Sequence, residues 1–135
     1  EFMQRNPTYM DVVEDVRTFL DERIRHAEAA GIDNGRILID PGIGFGKTLD
    51  HNLALLRNLD RLADLDQPVV IGVSRKAFLG VILDMPTLER IEGTIVANAV
   101  GILHGASIIR VHDAKEGRRT ADIAVRFRDH GTEDR

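Results

Sequence analysis

A chain of 135 residues, 43% hydrophobic and 30% charged, is long enough to bury the core of one domain and too short for several. The formal charge of −4 comes without a long block of either sign, which argues against nucleic acid or an anionic membrane surface and points to small molecules or protein as partners. Cysteine is absent, which excludes a disulfide framework and thiolate metal sites; with no apolar run near membrane-span length and no signal-peptide pattern, the expected location is the cytoplasm. Glu1-Phe2, directly before Met3, reads as a cloning residue outside the fold, residues 3–130 as the domain, and 131–135 as a polar tail.

Over residues 10–30 the apolar positions Val12, Val13, Val16, Phe19, Leu20, Ile24 and Ala27 recur at three and four, the spacing of an amphipathic helix. Pro7 and Thr8 read as its start signal. Asp11, Glu14 and Asp15 suit the positive end of its dipole, and Gly31 ends it. After the turn Asp33-Asn34-Gly35, residues 36–40 read as a strand. A helix over 49–63 follows, with Asp50 as a candidate cap and Leu53, Leu55, Leu56, Leu59 and Leu62 as its core stripe. Val69-Val70-Ile71-Gly72-Val73 is apolar on both faces, as a strand of a covered parallel sheet is, and ends in Ser74-Arg75-Lys76. Residues 77–83 make a short helical turn. A helix over 89–104 buries Ile91, Ile95, Val96, Ala99, Val100 and Leu103. A strand over 107–113 places Arg110 and His112 on one face, and a last helix over 114–128 packs through Ala121, Ile123, Ala124 and Phe127.

The loop Asp40-Pro41-Gly42-Ile43-Gly44-Phe45-Gly46-Lys47-Thr48 joins the first strand to a helix. Its alternating glycines allow positive φ and close approach of a ligand, and Asp40 is the last side chain the strand delivers, able to accept N–H groups of a heterocycle. Gly46-Lys47-Thr48 copies the end of a phosphate-binding P-loop, but the opening glycine of that motif falls on Pro41. Proline has no N–H to offer a phosphate and cannot make that turn. Lys47 and Thr48 then read as solvated surface.

Each strand-plus-helix unit is thirty to forty residues long, as in a (β/α) barrel or an open parallel sheet, and all the polar clusters stand at strand C-terminal ends. That is the ligand-binding face of parallel α/β folds. The clusters supply an acid in Asp40, a cation in Lys76, and an anion-binding pair in Arg110 and His112.

The glycine loop, Ser74-Arg75-Lys76 and Arg110-Val111-His112-Asp113, in that order and spacing, resemble dihydropteroate synthase, as do Glu89-Arg90-Ile91-Glu92-Gly93-Thr94 and Asn6-Pro7-Thr8-Tyr9. The resemblance runs from Met3 through nearly all of the chain. It implies an α/β fold, the C-terminal part of a TIM barrel covering roughly strands six to eight with their helices. It further implies a transferase of folate biosynthesis that condenses 6-hydroxymethyl-7,8-dihydropterin pyrophosphate with p-aminobenzoate.

By this resemblance Asp40, Lys76 and Arg110 contact the pterin, Phe45 and Lys76 the p-aminobenzoate, and Arg110 with His112 the pyrophosphate; Lys76, Arg110 and His112 are the catalytic candidates. No metal ligand falls in the chain: the family's Mg²⁺ is associated with an asparagine of the N-terminal half, which has no counterpart here. Ala77 stands where the family often has a serine, removing one hydroxyl from the benzoate or sulfonamide side of the pocket. Without that half the chain is expected to be inactive alone. A half-barrel that binds pterin or only self-associates is the alternative, and a pterin-binding methyltransferase the more distant one. Open strand edges predict a homo-oligomer.

Overall fold

The structure, a computed structural model, describes residues 11–130. Asn6-Pro7-Thr8-Tyr9, the start signal at Pro7 and Thr8, and the two terminal segments lie outside them. Helix α1 (Val12–Ala29) begins at Asp11, whose carboxylate accepts the N–H groups of Val13 and Glu14 at 3.1 Å. That arrangement satisfies donors the first turn leaves open, and it puts negative charge at the positive end of the helix.

A single 3-10 turn, Asn34–Arg36, then leads to Ile39, which is all that remains of the strand expected over 36–40. Ile39 donates to Pro68 O at 3.0 Å and accepts from Val70 N at 2.8 Å. Asp33 accepts the Gly35 N–H and winds the preceding residues into the turn, so only one rung of the ladder forms.

The helix expected over 49–63 is two helices, α2 (Leu49–Arg57) and α3 (Leu59–Ala63). Asn58 interrupts them: its side-chain amide donates to Ala54 O at 2.7 Å and its backbone N–H to Leu55 O, which tightens the last turn. The leucine stripe survives the break, with Leu55, Leu59 and Leu62 fully buried. Asp50 is not the cap. Thr48 is, in a reciprocal box with His51, because Thr48 has the extended backbone of a cap and Asp50 already lies inside the helix.

Strand β1 (Val69–Ile71) pairs in parallel with β2 (Ala106–Ile109), and Ile39 bridges to Val69 on β1's other side. The three passages therefore run 39, 69, 106 across the sheet. Between the two strands lie α4 (Ala77–Leu83), a 3-10 turn (Thr87–Glu89) and α5 (Ile91–Leu103); α6 (Ala114–His130) follows β2. Both strands are shorter than their apolar runs, and Gly72, Val73 and Arg110 extend them as irregular chain. Arg110 N still donates to Ile71 O at 2.9 Å, so the strand ends stay in register where the polar clusters begin.

One face of this sheet carries the core. Ile39, Val69, Ile71 and Val73 are buried with Leu55, Leu56, Leu59, Leu62, Phe78 and Leu79. Gly101 of α5 comes so close to Ile71 that an added Cβ would overlap its Cδ1. On the other face Leu38 is 55% exposed and Ile108 41%, so the period of two separates a covered side from an open one.

Several helix positions expected in the core are open as well, Val96 at 62% and Phe127 at 72% among them, with Phe19, Leu103 and Ile123. Periodicity identified an apolar stripe on each helix correctly. Part of the stripe on α1, α5 and α6 is left exposed among the described residues. No described helix is long and apolar enough to cross a membrane.

Candidate functional site

Three backbone passages end at one edge of the sheet and deliver Asp40, Ser74-Arg75-Lys76 and Arg110 to His112 there. The glycine loop is held by its own side chains. Gly42, Gly44 and Gly46 all have positive φ, at +73°, +87° and +61°, where L side chains are strained. Asp40 Oδ1 accepts from Gly42 N at 2.9 Å, and Asn52 Oδ1, buried on α2, accepts from Gly44 N at 2.8 Å.

Lys47 is not solvated surface. Its Nζ donates to Gly42 O at 2.9 Å and Phe45 O at 2.8 Å, stapling the loop from beneath. Burial pushes its pKa below 10.5, and the Asp40 carboxylate opposes that shift.

Asp40 Oδ2 receives the Arg110 guanidinium at 3.3 Å. The guanidinium can lie across the sheet because Gly72 is beneath it; a Cβ there would overlap its terminal atoms. Lys76 places its Nζ 3.9 Å from the centroid of the Phe45 ring, a cation–π contact, and its stem lies on Gly44, where an added Cβ would come within 3.0 Å of Cδ. Partial burial lowers the Lys76 pKa, Arg110 lowers it further by repulsion, and Asp40 pulls it back. Asp40, Arg110, Lys76 and Phe45 thus form one electrostatic unit, a carboxylate between two cations with an aromatic wall.

His112 is held by Ser74. Ser74 Oγ accepts the His112 backbone N–H at 3.2 Å and lies 2.8 Å from Nδ1, leaving Nε2 as the unengaged edge of an exposed ring. Arg110 and His112 lie beyond the end of β2 rather than within a strand over 107–113, Arg110 over Gly72 and His112 on Ser74. β2 ends at Ile109, and beyond it each side chain follows its own partner. Ala77 opens α4 directly after Lys76. Sequence reasoning missed Asn52, Thr94 and Lys47 as builders of the site. Asn52 and Thr94 are polar residues on otherwise apolar helix faces, and that was the available signal.

Asp40, Lys76 and Arg110 stand together at the C-terminal ends of parallel strands beside a glycine-rich loop, the face on which parallel α/β folds bind their ligands. The family model described as pterin binding enzyme matches residues 1–112, and the chain belongs to that family. Its relatives there are dihydropteroate synthases. That of Clostridium beijerinckii is 43% identical over 125 residues, covering 90% of this chain and 46% of its own length. The Yersinia pestis enzyme, solved as a sulfonamide drug complex, superposes with a TM-score of 0.92 at 38% identity, over 96% of this chain and 47% of that one. The Xanthomonas albilineans enzyme in complex with 7,8-dihydropteroate gives 0.87 at 40% identity, over 92% and 48%. The resemblance read from the motifs is therefore borne out, and the chain spans about half the length of the relatives it matches.

Proposed function

We propose that the chain is the C-terminal part of a dihydropteroate synthase barrel, strands six to eight with their helices, and that its strand ends form one wall of the pterin site. The meeting of Asp40, Arg110, Lys76 and Phe45 at one sheet edge carries this reading. Support for the ligand class comes from the relatives bound to a sulfonamide drug and to 7,8-dihydropteroate.

In the whole enzyme the bond between the pterin methylene carbon and the pyrophosphate oxygen breaks, and the p-aminobenzoate nitrogen bonds to that carbon and loses a proton. Pyrophosphate leaves and dihydropteroate forms. The pterin must be oriented and the departing anion stabilised. Asp40 would accept the pterin's amino and ring N–H groups in two parallel bonds, replacing Arg110 on Oδ2. Arg110, so released, would stack on the pterin face, and with the Nε2 edge of His112 would bind the pyrophosphate. Lys76, less hydrated than a free lysine, would donate to the pterin carbonyl and ring nitrogen. Phe45 would wall the p-aminobenzoate, and Ala77 offers that ligand no hydroxyl.

By the family resemblance the Mg²⁺ is associated with an asparagine of the N-terminal half, and among the described residues no three His, Asp or Glu side chains gather as a metal site. The chain alone would bind pterin without turning over substrate. Its open sheet face and apolar helix flanks favour a homo-oligomer, and a monodisperse monomer by light scattering would oppose that part.

Calorimetric titration with pteroic acid tests the central claim. Saturable binding that disappears in Lys76→Ala is the expected result. A folded chain that binds nothing would refute it.

A further inference from the structure

Arg75 lies between two residues of the site, Ser74 and Lys76, yet its side chain is taken up by Asp113. Its φ of +58° is in the left-handed region, costly for a residue with a side chain unless its surroundings enforce it. Three residues on two pieces of chain, the start of α5 and the loop after β2, do so. Its N–H donates to Thr94 Oγ1 at 3.0 Å, its carbonyl accepts from Arg90 Nη1 at 2.9 Å, and its guanidinium grips the Asp113 carboxylate with contacts of 2.8 and 3.3 Å. Thr94, in the first turn of α5, is 3% exposed. Arg90 in turn is seated against Gly80, where a Cβ would overlap its guanidinium, and it also donates to Met85 O at 3.0 Å. The backbone N–H, the carbonyl and two guanidinium nitrogens of Arg75 are thus engaged by Thr94, Arg90 and Asp113.

The next residue shows what the clamp achieves. Lys76 carries a flexible stem and a charge that Arg110 repels, and it is only half-buried. Left to itself, such a side chain swings away from the second cation into solvent. It does not do so here: its stem lies along Gly44 and its ammonium over Phe45. The direction in which Lys76 leaves the backbone depends on the dihedrals of Arg75 together with its own φ of −66°, so a left-handed Arg75 helps orient the Cα–Cβ bond of Lys76. Releasing Arg75 to an ordinary conformation would turn that bond.

We infer that Thr94, together with Arg90 and Asp113, is a positioning device that holds Arg75 left-handed and thereby aims Lys76 at Phe45 beside Asp40. None of the three is assigned to a substrate. The same clamp ties the β1–α4 loop to the β2–α6 loop, alongside the Ser74–His112 contact. The functional value of this aim rests on reading Lys76 as a pterin contact; the geometry does not.

The test reads Lys76 directly and needs no ligand. In the full chain, the ε-methylene protons of Lys76 lie against the Phe45 ring and are displaced upfield by its ring current; Phe45→Leu supplies the undisplaced reference. Thr94→Val keeps the shape of the side chain and removes the acceptor, while Thr94→Ser keeps the hydroxyl. The expected result is loss of at least half the upfield displacement in Thr94→Val and its retention in Thr94→Ser. If Thr94→Val does not fold, Asp113→Asn, at a half-open position, carries the same reading. Full displacement in a folded Thr94→Val or Asp113→Asn protein overturns the inference. Absence of pteroic acid binding by the wild-type chain would instead count against the pterin site, with the Lys76 signal unaffected.

Discussion

Asp40→Asn separates the charge of Asp40 from its architectural role. Asparagine keeps an oxygen to accept the Gly42 N–H, so the glycine loop retains its first anchor. What disappears is the negative charge that holds Arg110 at 3.3 Å. The Asp40 side chain is 39% exposed and that of Arg110 61%, so this ion pair contributes under about 1 kcal/mol to stability. The melting temperature should fall by no more than about 4 °C.

Ligand binding is a different matter, because a carboxylate that accepts two N–H groups from a pterin cannot be matched by an amide, whose nitrogen only donates. Losing one charge-assisted bond costs about 1.5–3 kcal/mol. That corresponds to roughly 10- to 150-fold weaker binding of pteroic acid. Calorimetry on wild type and mutant, with unfolding curves for both, measures the two quantities independently. An affinity within twofold of wild type in a folded mutant would remove Asp40 from the pterin site. A large loss of stability would show that the Arg110 pair matters more than its exposure suggests.

Asn52→Ala leaves the Gly44 N–H without its buried acceptor and should cost about 1–3 kcal/mol by urea unfolding, with an unchanged m-value. A neutral result would mean the loop is held by Asp40 and Lys47 alone. Thr48→Ala breaks the capping box of α2 and should cost about 1 kcal/mol, whereas Asp50→Ala, at a position that is not the cap, should cost less. The reverse order would restore Asp50 as the cap. Lys47 and Lys76 should each titrate below 10.5 when their ε-carbons are followed by NMR. Since the unfolded chain then binds these protons more tightly, their unfavourable contribution is fullest below the folded pKa and fades as pH rises towards 10.5. A Lys47 midpoint at or above 10.5 would show that the two carbonyls and Asp40 outweigh its burial.

Much of this protein is legible without coordinates, because the information is local. The strand-end clusters at Asp40, Lys76 and Arg110 could be read in order, since a parallel α/β chain must place them on one face. The apolar stripes of the helices follow from spacing alone, and the leucines of α2 and α3 proved to be core despite the break at Asn58. Pro41 alone was enough to set aside a P-loop.

Other features depend on which chemical groups meet in space. Which half of each helix stripe is covered depends on neighbours, so Phe127 and Val96 carry the right pattern and remain exposed. The strand over 36–40 shrank to Ile39, because a ladder needs a partner of matching length and an Asx-type turn competed for the residues before it. Asp40 binds Arg110, 70 residues away in sequence, because Gly72 leaves room for a guanidinium between them, and periodicity does not encode that. Lys47 looked like surface until its ammonium was seen to face two carbonyls of its own loop. Sequence determined which chemical groups reach the strand ends. Tertiary structure decided which of them touch, since hydrogen bonds and ion pairs form by proximity and a one-dimensional pattern records only order.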